Sequence, residues 1–108
     1  MGSLSAILRS TGPNRVSFWC PGCDEAHAIQ IRGEQPLWGY NDNPAAPTFT
    51  PSIKVTWVGQ RDGQQVTDVC HSFVTDGQIK FLGDCTHALA GQTVPLPEWP
   101  AREEQTDG

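Results

Sequence analysis

Apolar and polar residues alternate along much of this chain with a period of two, the signature of half-buried strands. The alternation is cleanest over residues 52–58, where Ile53, Val55 and Trp57 are set against Lys54, Thr56 and Val58. Residues 16–20 (VSFWC) predict a strand, and residues 26–31 predict another with His27, Ile29 and Ile31 on one face. Residues 66–74 and 79–82 are apolar and β-branched, and Asp76-Gly77 between them marks a tight hairpin. Asp62-Gly63 marks a second turn. Weaker signals predict a strand near residues 6–9, an aromatic element at 37–40 and an extended stretch at 92–97. Pro44, Pro47 and Pro51 argue against a helix or a central strand over 41–51. Residues 86–91 suit one helical turn, with Asp84 placed to cap it.

The expected fold class is therefore small and mostly β, with at most one short helix and a zinc-ribbon-like knuckle stapling a compact antiparallel sheet. With 108 residues the chain makes one domain. The expected organisation is a lead-in over 1–15, a zinc-stabilised β-rich domain over 16–100 and a flexible acidic tail over 101–108. Gly and Pro number 11 and 9, which fits short strands joined by turns.

Charge narrows the partners. The formal net charge is −5, and the seven cationic residues are spread singly, so phosphate-driven binding of nucleic acid is disfavoured. A protein partner fits better. No segment resembles a membrane span, and the apolar patch at residues 4–8 has no basic flank and is too short for a signal-peptide core. These features predict a cytoplasmic protein with reduced cysteines.

Reduced cysteines point to metal. Cys20-Pro21-Gly22-Cys23 forms a knuckle that aims two thiolates at one tetrahedral ion, and Cys70-His71 and Cys85-Thr86-His87 offer further ligands. The hairpin at Asp76-Gly77 carries the two later clusters towards each other. Adjacent strand residues point to opposite faces, so Cys70 and His71 are expected not to share a site. The favoured set for one structural Zn2+ is Cys20, Cys23, Cys70 and His87, with His71 or Cys85 as substitutes. Asp84 is expected to support the imidazole of His87 from behind. His27 reads as a packing residue. The rival readings are a redox dithiol, which lacks the helix that should follow it, and buried inert thiols.

The residues also resemble a family of small proteins common in tailed bacteriophages and prophages. The resemblance rests on Phe18-Trp19-Cys20-Pro21-Gly22-Cys23 with His27, on Trp38-Gly39, and on the block from Pro47 to Ser52 (PTFTPS). It continues through Cys70-His71-Ser72-Phe73-Val74 and Asp76-Gly77 to the block from Asp84 to Gln92 (DCTHALAGQ). The family pattern is CPxC, CH and DxTHxLAGQ. Cys85 falls at a variable position of it, which favours His87 as ligand. Some members carry the label ammonia monooxygenase, but an acidic chain of this length without a span does not suit a copper membrane enzyme. The resemblance implies phage origin and zinc binding rather than a reaction.

No HExxH, HxH or deaminase-type HxE occurs. The expected function is accordingly a non-enzymatic interaction module acting on a host or phage protein, for instance against a defence system, with Trp38, Tyr40 and Phe49 as contact residues. The alternatives are a metal-dependent hydrolase with His71, His87 and Asp84 around an open zinc, and a nucleic-acid-binding zinc ribbon.

Overall fold

The computed structural model describes residues 2–99. Nine strands follow in order: β1 (Gly2–Ser3), β2 (Leu8–Gly12), β3 (Arg15–Cys20), β4 (Glu25–Gln30), β5 (Gly39–Tyr40), β6 (Phe49–Arg61), β7 (Gln64–Thr75), β8 (Gln78–Phe81) and β9 (Thr93–Pro95). They form two antiparallel meanders, a sheet β1-β2-β3-β4 and a sheet β5-β6-β7-β8-β9. The expected mostly-β class is what the structure shows. Among the described residues no helix is long and apolar enough to cross a membrane.

The two sheets bury one shared core. Leu8, Val16, Phe18, Cys20 and Ile29 come from the first sheet, and Phe49, Ile53, Cys70, Val74, Ile79 and Phe81 from the second. Phe18 stacks on Phe49 across the interface at 6.2 Å between ring centroids. Alternation decides which side chains enter. On β7, Cys70, Ser72 and Val74 are buried while Phe73 and Thr75 face outwards. On β6, Ile53 is buried and Lys54 and Thr56 are exposed. On β4, His27 and Ile29 are buried and Ala28 is exposed, as the pattern predicts.

Both Asp-Gly turns form. Asp62 (φ 52°) and Gly63 (φ 80°) close β6 on β7, and Asp76 (φ 50°) and Gly77 (φ 80°) close β7 on β8. Two successive positive φ angles match the right-handed twist of the flanking strands, which is why Asp-Gly is favoured there.

Three expectations need amendment. The lead-in stretch supplies β1 and β2, and Leu8 is completely buried. The C-terminal part also covers this sheet, since Trp99 packs on Trp19 and donates from Nε1 to the Ile7 carbonyl at 2.8 Å. The acidic tail expected over 101–108 lies outside the described residues. Pro51 does not bar a central strand, because β6 runs through it. The register against β7 slips between Phe49 and Ile53, so residues 50–52 lie in an irregularity of the ladder that tolerates a missing donor. Finally, residues 86–91 make turns and no helix. Ala90 N–H reaches the His87 carbonyl at 3.3 Å and Gln92 N–H the Leu89 carbonyl at 3.0 Å.

Candidate active site and metal centre

Cys70 and His71 are neighbours on β7, so their side chains leave opposite faces of the sheet. Cys70 enters the core. His71 stands on the outer face, and there it meets two residues from other segments. Its Nε2 lies 3.1 Å from Ser52 Oγ. Its Nδ1 lies 3.1 Å from Asp84 Oδ2.

The chemistry of the partners sets the protons. A carboxylate only accepts, so the neutral imidazole carries its proton on Nδ1 and gives it to Asp84. Nε2 is left with a lone pair facing the Ser52 hydroxyl. The hydrogen bond from His71 holds the Asp84 carboxyl below the usual carboxylate range. Serine, imidazole and carboxylate thus form one chain of two hydrogen bonds, the arrangement of a Ser-His-Asp triad. Such triads are recognised by geometry and not by order in sequence.

Each member is held by its strand and by a side support. Ser52 lies in the irregular part of β6, diagonal to His71 across the β6–β7 ladder, in which Lys54 is directly opposite His71. Its carbonyl accepts a hydrogen bond from Trp38 Nε1 at 3.2 Å. Residues 82–86 run alongside β7 like an extra strand. Leu82 N–H donates to the His71 carbonyl at 2.9 Å, and Thr86 N–H to the Val69 carbonyl at 2.9 Å. Thr86 Oγ1 accepts from Val69 N–H at 3.0 Å, and Cys85 Sγ accepts from His71 N–H at 3.2 Å. This clamp delivers Asp84 beside the imidazole. The site is open: the His71 side chain is 23% exposed and that of Asp84 48%. On the same face, two residues beyond His71, exposed Phe73 lines a depression of about 580 Å3 with Thr75, Gln78, Lys80 and Thr93.

On the inner face Cys20, Cys23, His27 and Cys70 bring their ligand atoms within 4.8 Å of one another. Cys20 and Cys70 Sγ are 3.8 Å apart. Two sulfurs each about 2.3 Å from a tetrahedral ion would be separated by about 3.8 Å. His27 Nε2 is buried and makes no hydrogen bond of normal geometry. The thiols also depend on one another. The Cys20 pKa is lowered, first by hydrogen bonding from Cys23 and then from Cys70, against the effect of burial. Hydrogen bonding to Cys20 in turn pushes Cys23 up to about 12 and raises Cys70. Without a cation only one of these thiols ionises easily; a bound metal ion would stabilise all three thiolates. The donor set therefore fits a metal ion. Cys20, Cys23 and His27 come from the first sheet region and Cys70 from the second, so the cluster joins the two sheets.

The expected ligands divide accordingly. Cys20, Cys23 and Cys70 come together, and their fourth companion is His27 in place of the expected His87. His87 groups with Cys70 and Cys85 instead. Its ring lies against the knuckle, with atoms 2.4–2.7 Å from the place where a Cβ on Gly22 would stand. Its Nδ1 accepts from Leu89 N–H at 3.2 Å, and its Nε2 is buried with no hydrogen-bond partner. Asp84 supports His71 and not His87. His71 and Asp84 belong to none of the metal-type groups among the described residues, so the open-zinc arrangement of His71, His87 and Asp84 does not assemble. Phe49 is buried in the core and is no surface contact. Tyr40 stacks on it at 5.3 Å, and Trp38 is half-buried over Ser52.

Ser52 is a candidate site residue that the sequence alone does not single out. The signal was present: Ser52, His71 and Asp84 each lie in one of the motif blocks that carry the family resemblance. A family model described as "Bacterial ubiquitination-like system serine protease (BubE)" matches residues 2–82. The chain belongs to this family. The matched span holds Ser52, His71 and the whole four-residue metal group, and Asp84 lies two residues past its end. No curated protein and no solved structure matches the chain.

Proposed function

We propose that this BubE family member is a serine hydrolase that cleaves an acyl bond in a protein of a bacterial ubiquitination-like system. The observation that carries the reading is the Ser52–His71–Asp84 chain, with both links at 3.1 Å. The family's description as a serine protease supports it.

In this reading Ser52 Oγ attacks the substrate carbonyl while His71 Nε2 takes its proton. Asp84 stabilises the resulting imidazolium and keeps the ring oriented. The protonated His71 then gives its proton to the leaving amine as the C–N bond breaks, which leaves an acyl ester on Ser52. Water, deprotonated by His71, hydrolyses that ester and restores the serine hydroxyl. The metal takes no part in these steps. We assign it as zinc, held by Cys20, Cys23, His27 and Cys70, because three sulfurs and one nitrogen suit a closed tetrahedral structural site. Its role is to fix β7 against the knuckle and so fix His71 through its neighbour Cys70.

The test uses p-nitrophenyl acetate as a small acyl donor. Wild-type protein gives a stoichiometric burst of p-nitrophenol, and Ser52→Ala and His71→Ala give none while keeping the wild-type metal content and melting curve. A burst of wild-type size from Ser52→Ala overturns the assignment.

A further inference from the structure

We infer that the free edge of β6 beyond Ser52 binds an extended segment of the substrate as an added antiparallel or parallel strand. This rests on the assignment of Ser52 as nucleophile. β5 pairs with β6 only at Thr50 and Phe49. From Ile53 to Arg61, β6 pairs with β7 on one side, and among the described residues no strand pairs on the other.

The direction of the backbone groups follows from the hydrogen bonds of β6 and β7. Trp38 precedes β5, on the side of β6 away from β7, and its indole N–H donates to the Ser52 carbonyl. The Ser52 carbonyl therefore points away from β7. Val69 and His71 turn their N–H and C=O groups to residues 82–86, so their β6 partners Thr56 and Lys54, and Val58 two residues on, turn theirs to the open edge. Their side chains share the outer face with Ser52 and His71. Open edges of this length are normally blunted by proline, bulges or a covering segment. Here the register with β7 is regular from Ile53 to Arg61, and no proline follows Pro51 in the strand.

The edge is also continuous with the reactive residue. A peptide laid along Lys54, Thr56 and Val58 at the usual strand spacing of about 4.8 Å reaches Ser52 at its end. There the Trp38 indole already holds the carbonyl that would continue the ladder. Pairing stops at the nucleophile, and the next peptide bond of the substrate is free of the sheet where Ser52 Oγ stands. The occupant is thus an extended tail of a protein, recognised through its main chain, and not a folded surface.

The experiment compares covalent labelling of Ser52 by peptidyl aryl phosphonates built on a five-residue alanyl chain, with a simple alkyl fluorophosphonate as reference. Moving a single backbone N-methyl group along the peptide is expected to slow labelling at least tenfold at alternate residues and little at those between. The fluorophosphonate rate reports Ser52 alone. In a second arm, Thr56→Pro removes one edge donor without touching the β7 ladder. It is expected to slow the peptidyl probe at least tenfold and leave the fluorophosphonate rate unchanged. Equal rates for all N-methyl isomers overturn the edge proposal even if Thr56→Pro fails to fold. Labelling by neither reagent overturns the Ser52 assignment and the edge proposal with it.

Discussion

Asp84→Asn separates catalysis from stability at a single oxygen. Asp84 accepts the Nδ1 proton of His71 at 3.1 Å. An asparagine can present its NH2 group there and favour the other tautomer, which puts a proton on Nε2 and removes the acceptor for the Ser52 hydroxyl. In a buried triad the same change costs about ten-thousandfold in kcat. Asp84 is 48% exposed, so water can compete for the ring and part of the effect is recovered. A loss of about 100- to 1,000-fold in rate follows. Stability changes little, because a solvent-exposed pair of this kind is screened by water and contributes little to folding. The assay is the rate of Ser52 acylation by p-nitrophenyl acetate across pH, with a thermal melt alongside. The hydrogen bond from His71 lowers the Asp84 pKa, so its carboxylate persists as pH falls below 3.8, and the deficit of the variant is expected at every pH where the wild type is active. An Asp84→Asn protein within twofold of the wild-type rate, when Ser52→Ala is inactive, refutes the role given to Asp84.

Three further outcomes follow from the packing. Cys20→Ser, or a strong chelator, is expected to remove the link between the sheets and to abolish both cooperative unfolding and acylation; elemental analysis of wild-type protein is expected to give one zinc per chain, and a metal-free protein that melts normally contradicts this. Gly22→Ala drives a methyl group into the His87 ring, 2.4–2.7 Å away, and is expected to cost about 1–3 kcal/mol by overpacking, read as a lowered Tm; an unchanged Tm means that His87 does not lie on the knuckle. Leu8→Ala is expected to cost about 2–5 kcal/mol in denaturant unfolding, since Leu8 is fully buried; a loss under 0.5 kcal/mol by the same measure (about a tenth to a quarter of that range) would put β2 outside the core.

Much of the sheet structure is legible in the sequence because alternation and Asp-Gly turns are local signals. Residues 52–58 and the hairpin at Asp76-Gly77 are read directly, and so is the division of Cys70 from His71 by strand geometry. What is not legible is long-range. Leu8 reads as a lead-in because its burial comes from the opposite sheet and not from its neighbours. Pro51 reads as a strand breaker because nothing local announces the register slip that accommodates it. His27 reads as packing because the fourth metal ligand is chosen by where β4 sits beside β3 and β7. Ser52 is hidden for the same reason. An isolated serine in a strand carries no chemical signal until β7 and residues 82–86 set His71 and Asp84 beside it. The Cys/His motifs mark the inner face of β7 through Cys70, while His71 leaves the outer face of that strand to meet Ser52 on β6.

The central claim is that Ser52, activated by His71, is the nucleophile. Its most direct test is the mass of the protein after treatment with an alkyl fluorophosphonate, followed by localisation of the adduct by peptide mass spectrometry. One adduct per chain is expected, on Ser52, and none on folded, metal-loaded His71→Ala. An unmodified wild-type protein, or an adduct on another residue, contradicts it.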